Sequence, residues 1–182
     1  MLQLLYLLVA VVAWAAPGRD PAAHLDCASD PCAEVLPGAV RFEHPEGRPY
    51  VVGFDAGGEQ VGWVVLSTDV VDIKAYSGKP LVTVVGLDGE GVITGARVVH
   101  HSEPILLVGI PEQELHDFVD QYVGRHATEQ VQVGGDVDVV SGATVTVLAQ
   151  SQTLLDAART LGRDVGVIQA GAATAGHFVQ DE

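Results

Sequence analysis

The sequence predicts an α+β fold, a small antiparallel sheet carrying two main helices. Short β-branched runs crowd the first half, at residues 50–54, 61–66, 81–87 and 92–100, with Gly-rich breaks such as Ala56, Gly57 and Gly58 between them. Two apolar stripes at helical spacing follow in the second half. Strands first and helices later is not the alternating order of a parallel sheet.

Taken in order, the first element is an export segment. Residues 1–18 carry no charged side chain, residues 4–13 form an apolar run as long as a signal-peptide core, and small residues flank Trp14. Cleavage after Ala15 is expected, with an uncleaved anchor as the alternative, so residues 1–15 read as signal and the protein as periplasmic or extracytoplasmic. Residues 16–34 are rich in Ala, Asp and Pro without periodicity and read as an extended leader. Within them stand the only cysteines, Cys27 and Cys32, which an oxidising compartment would join in a small loop. Two cysteines with only His24 nearby make a poor zinc site, and no metal is expected.

The folded unit is expected over residues 35–163. Its clearest hairpin runs through Leu87, Asp88, Gly89, Glu90 and Gly91, where Asp-Gly suits the positive φ of a tight turn. Leu115, Phe118, Val119, Tyr122 and Val123 form the first helical stripe, opened by Pro111 and Glu112 and stopped by Gly124. Residues 136–140 alternate like a strand. Val147, Leu148, Ser151, Leu154, Leu155 and Ala158 make the second stripe, ending near Gly162. Residues 164–182, Ala- and Gly-rich, read as a flexible tail. A chain of 182 residues has length for one core. Its net charge of −15, with nine Lys and Arg, excludes nucleic acid as a partner.

The chemistry concentrates in Ser141, Gly142, Ala143 and Thr144, expected at a strand-to-helix turn. A helix N-terminus offers unpaired N–H groups and the positive end of the dipole, which suits an anion. Gly142 and Ala143 permit close approach, while Ser141, Thr144 and Thr146 offer hydroxyls. The residues alone point no further than a phosphate-sized anion, and for the bare tetrapeptide a plain Ser or Thr N-cap is the better reading. Ser141 has no Gly-x-Ser-x-Gly setting and no evident His partner, so serine hydrolysis is not indicated. His100 and His101 are neighbours on a strand and point to opposite faces, which disfavours one shared ion. Trp63, on an apolar strand, is expected in the core.

The longer pattern, Asp138-Val-Val-Ser-Gly-Ala-Thr-Val-Thr146, resembles the flavinylation site of the FMN-binding domain family, found in sodium-pumping quinone reductases, Rnf complexes and NosR/NirI-type regulators of nitrous oxide respiration. Three further segments resemble the N-terminal periplasmic domain of the NosR/NirI branch: Cys32-Ala-Glu-Val-Leu-Pro-Gly-Ala39, Tyr76-Ser-Gly-Lys-Pro-Leu-Val-Thr-Val-Val-Gly-Leu-Asp88 and His101-Ser-Glu-Pro-Ile-Leu-Leu-Val-Gly-Ile-Pro-Glu112. The resemblance covers residues 32–162. Ser102 stands where the family often has a second His.

The resemblance implies FMN held as a phosphoester on Thr144, attached by a separate FMN transferase. Ser141, Gly142 and Ala143 would cradle the phosphate, Thr146 would join them, and Asp138 would serve transferase recognition. Tyr76, Lys79, His101 and Glu103 would line the flavin's surroundings. It further implies an electron-transfer flavoprotein domain rather than a stand-alone enzyme, supporting nitrous oxide reductase activity or maturation. Its electron partner would be a membrane donor or an iron–sulfur protein, with nitrous oxide reductase itself a candidate partner. The alternative is a non-redox docking module of a membrane-associated respiratory complex, using its acidic surface.

Overall fold

A computed structural model describes residues 23–169. The expected signal segment and the end of the expected tail lie outside the described residues. Among these residues five strands form one antiparallel meander: β1 (Arg41–Glu43), β2 (Tyr50–Phe54), β3 (Gln60–Leu66), β4 (Val82–Leu87) and β5 (Ile93–His100), side by side in chain order. The four strands from β2 to β5 match the β-branched runs within a residue. The three-residue β1 has too little periodicity to stand out. Among the described residues five helices complete the α+β fold: α1 (Cys32–Val35), α2 (Ser67–Val70), α3 (Pro104–Val108), α4 (Glu112–Asp120) and α5 (Thr144–Asp164).

The sheet is covered on both faces, and strand alternation sorts the side chains between them. Val85 and Leu87 of β4, with Ile93, Ala96 and Val98 of β5, face α4 and α5 and form the main core with Leu115, Phe118, Tyr122, Leu154 and Leu161. Trp63 is half-buried against this core. Val82 and Val84 face the other way, into a smaller core with Leu25, Cys32, Val35 and Leu36.

The stretch from Ala23 to Glu34, read as a leader, is therefore packed in the described structure: Leu25 and Cys32 are buried, and Cys27 and Cys32 are disulfide-bonded with Cα atoms 5.4 Å apart. Composition misled because this layer seats on backbone. Gly86 and Gly95 pair across β4 and β5 under α1, where a Cβ on Gly86 would stand 2.1 Å from the Val35 carbonyl oxygen. Thr94 Oγ1 donates to that same oxygen at 2.6 Å. Two glycines inside the expected strand runs thus form a trough for α1.

Residues 136–140 form no strand, and the expected strand-to-helix turn is instead a loop-to-helix turn. Their hydrogen bonds are spent locally: Gln132 N–H donates to Asp136 Oδ2 at 2.9 Å, Asp136 N–H to the Gln132 carbonyl at 2.8 Å, and Gly134 N–H to the Val137 carbonyl at 2.8 Å. Only a single bridge, Val133 to Val137, remains. Val137 and Val140 are buried while Val139 is half exposed, a spacing of three instead of two.

In the β4–β5 hairpin Gly91, not Gly89, takes the positive φ, of 82°. Asp88 Oδ1 accepts from the Glu90 and Val92 amides, both at 2.9 Å, and closes the turn. Beyond α5 the chain stays packed as far as Ile168, whose amide donates to the Gly162 carbonyl at 3.0 Å. Among the described residues no helix is long and apolar enough to cross a membrane.

Candidate functional site

The motif from Ser141 to Thr146 enters α5, and two contacts fix that helix against the sheet. Gln150, fully buried in the second turn, bonds its side chain to Thr83 Oγ1 of β4 at about 3.1 Å. Ser67 Oγ accepts the Thr83 amide at 2.9 Å, so the polar pair is satisfied inside the core. The buried face of Val147, Leu154, Leu155, Ala158 and Leu161 holds the rest of the helix in place.

At its start, Gly142 turns the chain with φ of 84°, a left-handed angle that favours glycine. Ala143 occupies the N-cap position and no side chain caps the helix. The plain N-cap by Ser141 or Thr144 is thus not what the structure contains. Thr144 is the first helical residue and is exposed, while Thr146, two residues on, is buried.

A cavity of about 550 Å³ opens over this helix start, lined by Tyr76, Pro104, Ile105, Val108, Gly142, Ala143, Thr144, Val145 and Thr146. Its walls are mostly apolar with hydroxyls at one end, the character of a site for a flat organic group with a polar tail. Pro104 begins α3, where its missing N–H leaves no helical bond unmade. Tyr76 stands at the rim, 71% exposed, and Val108 is 87% exposed. A cavity of similar size, about 530 Å³, lies by His44, Arg48 and Asp69 and holds none of the motif residues.

The ten residues singled out from sequence divide into three groups. Tyr76, Gly142, Ala143, Thr144 and Thr146 line the cavity. Glu103 and His101 lie behind its wall: Glu103 is fully buried, and its amide reaches His101 Nδ1 at 3.4 Å. Ser141, Asp138 and Lys79 are exposed and outside the lining. The Asp138 amide donates to Gln121 Oε1 at 2.7 Å, which ties the loop before the motif to the end of α4. Ile105, Val108 and Val145 went unread as lining; an uncharged Pro-Ile-Leu-Leu-Val run was their only signal.

Glu103 Oε1 accepts the Ser77 amide at 3.0 Å and Oε2 accepts the Thr146 hydroxyl at 2.6 Å. Burial by itself would push this carboxyl up, but the bonds from Thr146 and Ser77, with His101 nearby, outweigh it and hold the group below the usual range. Burial pushes the His101 imidazole down; Glu112 and Glu103 pull the other way, and His100 and His116 reinforce the decrease. Among the described residues no group of three or more His, Cys, Asp or Glu is placed to hold a metal ion.

The residues present fit FMN. An uncapped helix start and a left-handed glycine suit its phosphate, and the apolar cavity suits its ring. Comparison with known proteins agrees. The sequence profile of the FMN-binding domain family matches residues 76–159, which span the cavity lining from Tyr76 to Thr146. The chain is 42% identical over 144 residues to the regulatory protein NosR of Stutzerimonas stutzeri, covering 75% of this chain and 20% of that protein. It is 30% identical over 167 residues to the protein NirI of Paracoccus denitrificans, covering 91% of this chain and 24% of NirI. To a component of the ion-translocating oxidoreductase complex of Methanosarcina acetivorans it is 36% identical over 137 residues, covering 68% of this chain and 67% of that component. The chain spans about a fifth of the length of NosR. With the fold, the cavity and these likenesses in agreement, the chain belongs to the FMN-binding domain family and is an FMN-binding domain of the NosR/NirI type.

Proposed function

We propose that this chain is an extracytoplasmic electron-transfer domain whose FMN is phosphoester-linked to Thr144. The observation that carries the reading is the setting of Thr144: an exposed hydroxyl on the first residue of α5, lining the cavity, with no side chain occupying the helix start. A transferase can reach such a hydroxyl. Esterification replaces the Thr144 hydroxyl proton with the flavin phosphate, so the chain gains one FMN less one water. The uncapped N–H groups and the positive end of the α5 dipole would then favour the phosphate.

Bound FMN supplies one- and two-electron chemistry, and the protein contributes anchorage, orientation and tuning. Pro104, Ile105, Val108 and Val145 would present an apolar surface to the ring. A covalent link suits a compartment that holds no free FMN, because binding by mass action alone would fail there. The likeness to NosR supports a role in nitrous oxide respiration, with a membrane donor or an iron–sulfur protein as electron partner and nitrous oxide reductase as beneficiary. Export by residues 1–15 belongs to the same proposal.

Denaturing gels of the protein co-produced with an FMN transferase test the linkage. Wild type should carry a fluorescent flavin band and Thr144→Val should not. A fluorescent Thr144→Val band would move the attachment elsewhere.

A further inference from the structure

The family resemblance implies Glu103 near the flavin, yet both of its oxygens are engaged within the protein. One binds the amide of Ser77, next to the rim residue Tyr76; the other binds the hydroxyl of Thr146, which lines the cavity. Three segments far apart in the chain thus meet on one carboxylate, 26 and 43 residues from its two partners. The side chain is fully buried, and a lone buried carboxylate is costly unless its acceptors are filled. Apolar packing would join these segments at less cost, so the charge calls for a role of its own. Both donors point at the carboxylate, and it lies beside the first turn of α5, where the helix dipole favours an anion.

We propose that Glu103 is a positioning residue for the flavin, clasping the Tyr76 loop to the first turn of α5 and holding a negative charge one hydrogen bond behind the cavity wall. This rests on the reading of the cavity as the FMN site. The clasp sets the distance between the rim at Tyr76 and the floor at Thr146. The charge disfavours electron gain by a ring in the cavity, because the carboxylate is itself buried away from screening water. Removing the charge while keeping the shape therefore raises the flavin's midpoint potential.

Glu103→Gln does this, because the amide oxygen can still accept from Ser77 and the amide nitrogen can donate to Thr146 Oγ1. The full chain, flavinylated by co-production with an FMN transferase, is titrated spectroelectrochemically beside wild type. The expected result is flavin incorporation at the wild-type level with the midpoint potential displaced upward. Full incorporation with an unchanged potential overturns the proposal, since a purely structural clasp would leave the potential alone. Amide exchange in the wild-type protein provides a readout independent of the variant's folding. Ser77 N–H should exchange roughly tenfold or more slowly than Tyr76 N–H in the same exposed loop. Equal rates would remove the clasp. Wild type that emerges without flavin contradicts the FMN linkage instead, and the Ser77 rate still decides the clasp.

Discussion

Gly86→Ala puts the packing of α1 on the sheet to a direct test. The added Cβ would stand 2.1 Å from the Val35 carbonyl oxygen and 2.6 Å from Thr94 Oγ1, against a practical limit of 3.0 Å. The obstacle at Val35 is backbone, and α1 is held by the Cys27–Cys32 disulfide, so it cannot retreat by turning a side chain. It must lift by about an ångström, which breaks the Thr94 bond to Val35. Overpacking of this kind costs about 1–3 kcal/mol, and the lost hydrogen bond adds about 1 kcal/mol. Their sum of about 2–4 kcal/mol corresponds to a fall in Tm of roughly 6–12 °C for a domain of this size. Thermal unfolding followed by circular dichroism reads it. The cavity lies on the opposite face of the sheet, so flavin incorporation should persist at temperatures below the transition. A Tm within about 1 °C of wild type would refute the trough, as 1 kcal/mol alone shifts it by more than that.

Three further outcomes are expected. Replacing Cys27 and Cys32 by Ser opens a five-residue separation and should cost about 2 kcal/mol by loop entropy, read as a lower urea midpoint for the variant than for the non-reduced wild type. Gly142→Ala meets only Ile110 Cδ1, at an ordinary contact distance of 3.8 Å, but must hold a φ of 84°, so it should cost about 1 kcal/mol and reduce FMN incorporation by disturbing the start of α5. Acid should destabilise the fold in two stages. His101 has its folded pKa below 6.5, so its contribution is complete above 6.5 and is lost as pH falls through the lower folded value, where the unfolded chain binds the proton first. Glu103 has its folded pKa below 4.5, so its contribution is complete above 4.5 and is lost on further acidification. His101→Phe should flatten the first stage of the urea midpoint against pH and leave the second.

Strands β2 to β5 and helices α4 and α5 were legible because each carries enough periodic apolar residues to declare its buried face. Thr144, Gly142 and Ala143 were legible as a motif, since small residues before a helical stripe point to a helix start. What escaped notice depends on contacts far apart in sequence. Glu103 was legible as part of the flavin's surroundings, but nothing beside it announces its bonds to Ser77 and Thr146, 26 and 43 positions away. The alternation at 136–140 suggested a strand because sequence does not reveal that Asp136 and Gln132 bond each other. Gly86 and Gly95 passed as ordinary members of their strand runs because a close approach of backbone leaves no side-chain signature. Ser141, Asp138 and Lys79 lie outside the cavity lining, and their proposed roles would lie with the transferase or the phosphate instead of the ring.

The central claim is the bond between FMN and Thr144. Intact mass spectrometry of the protein co-produced with an FMN transferase, followed by fragmentation of the peptide containing Ser141 to Thr146, measures it directly. The account predicts a gain of one FMN less one water, placed on Thr144. An unmodified mass from cells in which the transferase flavinylates another substrate, or a flavin mapped to Ser141 or Thr146, would contradict it.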